Sequence, residues 1–141
     1  MGRFRFLPLL GRILIGAPFV MSGLGKLAAY GATVGYIAAM GLPVPPLAFV
    51  IAVLTELGGG VLLMSGYRAR VVSLAMAVFC VVTAIFFHHN FADQNQMIHF
   101  LKNVMMAGGL LQITWFGAGA FSLDARFNRV ALRVSCLNAS Y

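Results

Sequence analysis

The chain has 141 residues, 61% hydrophobic and 9% charged, with a mean hydropathy of +0.93. A soluble domain carries roughly one quarter charged residues, and ten basic plus three acidic side chains cannot coat one of this size, so a soluble globule is excluded. The net charge of +7 raises nucleic acid as a partner, but the basic residues fall in short clusters between apolar runs and form no continuous basic face, which excludes that class too.

In chain order, the opening "MGRFRFLPLLGRILIG" begins like a signal peptide. Arg12 interrupts its apolar stretch and no A-x-A site follows, so it is expected to remain as a first span. Phe6 stands where a myristoylation signal needs Ser or Thr. A hydrocarbon layer of about 30 Å takes about 20 helical residues, and four apolar runs approach that length, near Phe6 to Leu24, Pro46 to Met64, Val71 to Phe87 and His99 to Phe116. None alternates as barrel strands would. The expected fold is all-α, an integral membrane four-helix bundle.

Between the first two runs, "AYGATVGYIAAMGLPVPP" predicts a short outer-surface helix, capped by Thr33, ending at Met40 and stopped by Gly41. Lys and Arg set the orientation: Arg3 and Arg5 precede the first run, Arg68 and Arg70 separate the second from the third, and Arg126, Arg129 and Arg133 follow the fourth. Only Lys26 and Lys102 lie on the other side. By the positive-inside rule both termini are expected in the cytoplasm, with the loops at 26–45 and 88–98 outside. Residues 1–126 are expected to form one membrane domain. Residues 127–141 form a basic amphipathic tail, with Arg126, Arg129 and Arg133 on one side of an interfacial helix and Phe127, Val130, Ala131 and Val134 on another. Cys80, mid-run, and Cys136, in the tail, are expected at depths too different to pair.

The residues that cost something point to a site. Glu56, in "LTELGGGVLLM", falls about 14 Å from the outer edge of its run and about 16 Å from the inner edge at 1.5 Å per residue. A carboxylate there must be neutralised, paired or wet, so it faces protein and not lipid. Lys26 and Lys102 are placed near the outer boundary, and Arg12 is the cation expected to reach Glu56. Gly59 and Gly60, with Gly108 and Gly109 in the fourth run, are expected to let helices approach closely. His88, His89, His99, Lys102 and Asn103 are expected, with Lys26, to form a polar vestibule opening outward. Adjacent His88 and His89 point about 100° apart on a helix and cannot serve as an i, i+4 metal pair, and no haem-attachment motif occurs, so neither a metal nor a covalent cofactor is expected.

Taken in order, "GRILIGAPFVMSGLGKL", "ELGGGVLLMSGYRAR", "FFHHNF", "IHFLKNVMMAGGLL" and "GAGAFSLD" resemble the DoxX family of small four-helix bacterial inner-membrane proteins over roughly residues 9 to 126. The motif residues carried over are Arg12, Gly23, Lys26, Glu56, Gly59, Gly60, Gly66, Arg70, His88, His89, Lys102 and Asn103. The resemblance implies an inner-membrane location and association with membrane redox or oxidative-stress complexes, the family taking its name from a thiosulfate:quinone oxidoreductase subunit. The function expected on this basis is a membrane subunit of such an assembly, holding a quinone-like or sulfur-containing molecule in an outward-facing pocket, with no redox centre of its own. The alternative is a non-catalytic scaffold or assembly factor whose buried charges fix helix register. Lipid is the first partner expected, followed by a membrane redox protein and further copies of the chain.

Overall fold

A computed structural model describes residues 4–138, with side chains described as far as Val130. Arg3, Arg133 and Cys136 therefore lie outside the described side chains. The described chain is helical: α1 (Leu7–Ala28), α2 (Tyr30–Ala39), α3 (Pro45–Val53), α4 (Gly59–Ser65), α5 (Ala69–Phe87), α6 (Gln94–Phe116) and α7 (Leu123–Asn138). A π-helical turn, Leu54–Gly58, joins α3 to α4, so that Pro45–Ser65 runs as one rod. Three helices are long and apolar enough to cross a membrane: α1, that rod, and α5. The fourth apolar run lies in α6, a helix of 23 residues whose first turns carry Gln94, Asn95, Gln96, His99, Lys102 and Asn103.

Small residues bring α1 and the rod together. A Cβ on Gly60 would stand 3.0 Å from the Gly16 carbonyl oxygen, and one on Gly16 would stand 3.0 Å from that of Gly60. One turn or two further along, a Cβ on Gly23 would meet the Leu57 amide at 3.0 Å. The two helices are therefore antiparallel and nearly touching, as lipid-embedded helices pack when no hydrophobic drive separates solvent from core. Phe19, Leu63, Met76, Ala77, Cys80, Ala107 and Leu110 fill the space where α1, α4, α5 and α6 meet. Ser73 and Thr114, with hydroxyl oxygens 2.9 Å apart, tie α5 to α6. Large apolar side chains such as Leu14, Met21, Val71, Met105 and Trp115 cover the outside, the inverse of a soluble surface.

The end of the molecule at the start of α1 is closed by turns that lock into one another. Gly66 ends α4 in the left-handed conformation, φ +70°, and a Cβ there would collide with the Arg12 guanidinium. Arg68 also has positive φ, and its amide and that of Ala69 donate to the two oxygens of Asp124, at 2.7 and 2.9 Å. A residue 55 positions away thus caps α5. Ser122 accepts from the Ala125 amide and starts α7.

At the opposite end α2 forms on a different plan from the one expected. It begins at Tyr30, and Thr33, inside the helix, donates its hydroxyl to the Ala29 carbonyl instead of capping. Its end at Ala39, with Gly41 at φ +76°, follows the glycine stop. Ile37, Phe49 and Val53 form a second small core there, and Tyr30 packs edge-on to Phe49 at 4.9 Å.

Candidate functional site

Two cations project from α1 toward the rod, and the structure gives each a different partner. Arg12 lies on the buried stripe formed with Gly16, Phe19 and Gly23, and Lys26 continues it at the same three-to-four-residue spacing. The contacts of Gly16 with Gly60 and Met64, and of Gly23 with Leu57 and Glu56, fix the register. Glu56 is level with Gly23, within reach of Lys26. Arg12 stands 11 residues back along α1, about 16 Å at 1.5 Å per residue. The expected Arg12–Glu56 pair is therefore not formed.

Lys26 takes that place. Its ammonium donates to both oxygens of Glu56 and to the Ser22 hydroxyl, each at 2.8 Å. All three ammonium protons are committed, while the carboxylate keeps acceptor capacity. The Glu56 side chain is 8% exposed and that of Lys26 28%. Glu56 sits in the π-helical turn, a widened turn found often at functional sites. Arg12, 1% exposed, instead donates to the carbonyls of Leu63 and Met64, at 3.1 and 3.0 Å, and to that of Phe121. The first two are carbonyls in the last turn of α4, where the helix dipole is negative; that of Leu63 also accepts from the Gly66 amide.

The Lys26–Glu56 pair lies in the wall of a cavity of about 430 Å³. Its lining is mostly apolar: Ile37 from α2, Ala48, Ile51 and Ala52 from α3, and Phe79, Val82 and Phe87 from α5. Thr33, Tyr36, Thr83 and His88 add polar atoms, and Tyr36 stacks on Phe87 at 5.8 Å. The cavity exists because the rod extends past the end of α1. With Glu56 level with Gly23, the whole of α3 from Pro45 to Ala52 stands at or beyond the last turn of α1, and α2 folds back to cover it. The pair is neutral as a unit, so the cavity offers a dipole in an apolar chamber rather than a net charge. Such a chamber is of the size typical of small-molecule sites.

The other expected residues divide. His88 lines the cavity, its Nδ1 lies 2.9 Å from Gln96 Oε1, and its ring stacks on His99 at 5.1 Å. His89, Lys102 and Asn103 do not line it; His89 and Lys102 are exposed, and Asn103 donates to the His99 carbonyl within α6. Among the glycines, Gly59 approaches Met76 and Gly60 approaches Gly16 and Val20; a Cβ on Gly109 would meet Ile15, whereas one on Gly108 would meet nothing. No group of three or more metal-ligating side chains occurs among the described residues. Sequence reasoning missed Ser22, Thr33, Tyr36, Ala52 and Thr83. The available signal was the Arg12, Gly16, Phe19, Gly23, Lys26 stripe: pairing it antiparallel with Glu56, Gly60 and Leu63 at the glycines brings Lys26 to Glu56.

Comparison with known proteins places the chain. The DoxX family model matches residues 7–89, which include Arg12, Lys26, Glu56 and His88. The inner membrane protein YqjF of Escherichia coli (strain K12) is 39% identical over 121 residues, 86% of this chain and 92% of that protein. The inner membrane protein YphA of the same organism is 35% identical over 123 residues, 84% of this chain and 88% of that one. No solved structure matches. With a family model covering more than half its length and two inner-membrane relatives spanning nearly all of it, the chain belongs to the DoxX family of inner-membrane proteins.

Proposed function

We propose that the protein is the membrane subunit of a redox or oxidative-stress-related assembly, and that its cavity receives a quinone-like or sulfur-containing neutral molecule. The observation that carries this reading is a mostly apolar chamber of about 430 Å³ whose charged groups are a single ion pair, Lys26 with Glu56. A quinone reduced to its quinol takes up two electrons and two protons. The electrons come from the partner, since this chain has no redox centre in the reading. Glu56, the ammonium of Lys26 and the imidazole of His88 are groups beside the cavity that can pass and receive a proton, and a ligand carbonyl can take the place of Ser22 on Lys26. The apolar walls keep water from the reacting ring.

The same reading makes α6 a fourth crossing, with both termini in the cytoplasm, α2 at the outer face and α7 along the inner surface. It is supported by the gathering of basic clusters at one end: Gly119 abuts Pro8, and Asp124 holds the α4–α5 turn that carries Arg68 and Arg70. On this topology the cavity opens outward.

The test is recovery of bound small molecules. Protein purified from native membrane and extracted with solvent should yield a quinone or sulfur compound at about one per chain by mass spectrometry, and Glu56→Gln should reduce that yield at least tenfold. A folded wild-type protein that carries nothing and binds no added short-chain quinone would leave the scaffold role in its place.

A further inference from the structure

A second cavity, about 550 Å³, lies at the opposite end, between the α4–α5 turn and the α6–α7 connection. Arg68 and Arg70 line one side, and Phe116, Gly117 and Ser122 line the other. The Arg70 guanidinium reaches across the connection, its Nε lying 3.4 Å from where a Cβ on Gly117 would stand. Gly117 adopts φ +85°, so a side chain there is excluded on backbone grounds as well.

The charge at this end does not balance within the chain. The whole sequence has three acidic residues. Glu56 is taken by Lys26, and Asp93 caps α6 through the Asn95 amide at the far end. Asp124, which also lines this cavity, gives one oxygen to the Arg68 amide and the other to the Ala69 amide. Among the described residues Arg68 and Arg70 make side-chain-linked hydrogen bonds only through their backbone, to Asp124 and from Ser73, and neither guanidinium has a hydrogen bond or an ion pair. Two guanidiniums thus face a concave, partly apolar chamber whose one carboxylate is bound to two backbone amides and to neither of them. Guanidinium forks match the oxygens of a phosphate, and basic pockets between spans on one face of a membrane protein are where anionic headgroups lodge.

We propose that this cavity binds a phosphate group, held by Arg68 and Arg70, with a glycerol or acyl substituent against Phe116. The anionic headgroup of a glycerophospholipid and a free phosphate share that chemistry. The site is separate from the Lys26–Glu56 cavity and does not depend on its function.

Native mass spectrometry of the full chain in a neutral detergent tests this, with phosphatidylglycerol, phosphatidylcholine of the same acyl chains and inorganic phosphate as probes. One phosphatidylglycerol should bind in preference to phosphatidylcholine, and R68Q/R70Q should weaken it by roughly tenfold or more. The control R5Q/R126Q removes equal charge from exposed positions off the cavity and should change binding by less than about threefold, because its effect is screened. Should R68Q/R70Q not fold, R70Q alone should still show a loss larger than the control. Competition by inorganic phosphate at similar concentration identifies free phosphate as the source, and its failure identifies the lipid headgroup. Equal binding of the two lipids in the absence of phosphate binding, or equal loss in site and control variants, overturns the proposal.

Discussion

Arg12 and Lys26 stand on the same face of α1, both turned toward the rod, yet the first is held in a knot of backbone carbonyls and the second lies in the wall of a chamber. Arg12 is spanned by three carbonyls from two segments and is 1% exposed. Its planar fork joins α1, the end of α4 and the approach to α7, which a point charge could not do. Lys26 carries its charge to a carboxylate in the wall of a cavity, where a small ammonium can exchange one partner for another. Two cations on one helix face therefore have different surroundings, the first joining segments through their carbonyls and the second paired with a carboxylate in a cavity wall.

That contrast can be broken most sharply at Arg12. Arg12→Leu should destabilise the protein by about 3–5 kcal/mol, since it removes the three hydrogen bonds of a buried guanidinium that join α1, α4 and the segment before α7, and Arg12→Lys should recover little of the loss. Thermal or denaturant unfolding in detergent measures this; a small loss, or full rescue by Lys, would make the knot dispensable. Next in size is the coupling across the pair. Lys26→Met and Glu56→Gln should be non-additive by about 1–3 kcal/mol, whereas Arg12→Leu with Glu56→Gln should add within about 0.5 kcal/mol. The reverse pattern would restore Arg12 as the partner of Glu56.

Smaller effects refine the packing side. Gly60→Ala puts a methyl against the Gly16 carbonyl and Val20 and should cost about 1–3 kcal/mol. Gly108→Ala meets nothing and should be neutral or stabilising by up to about 1 kcal/mol. Equal effects would mean the two glycines are not distinguished by their neighbours. Asp124→Ala, which uncaps α5, should cost about 0.5–2 kcal/mol.

Much of this was legible in the sequence because it is one-dimensional. Apolar run lengths located α1, the rod and α5, and the cost of a carboxylate in hydrocarbon turned Glu56 inward. The partner of Glu56 was not legible from depth alone. Counting residues from each run's edge assumes that the helices start level, and α3 extends well past the end of α1. The overhang also makes one side of α2 a wall of the cavity, and it explains why Thr33, read as a cap, sits in the lining. Asp124 capping α5 joins positions too far apart for any local motif to reveal, and the π-helical turn around Glu56 leaves no mark in composition.

The central claim, that the Lys26–Glu56 chamber is a binding site, is tested most directly by filling it. Ala52 lines the cavity without touching either charge partner through a hydrogen bond, so Ala52→Phe occupies the space and leaves the pair intact. Titration of purified wild-type, Ala52→Phe and Glu56→Gln protein with a short-chain quinone should give saturable binding for the wild type and at least a tenfold loss in both variants, with Ala52→Phe unfolding at the wild-type temperature. Undiminished binding in Ala52→Phe would contradict the account.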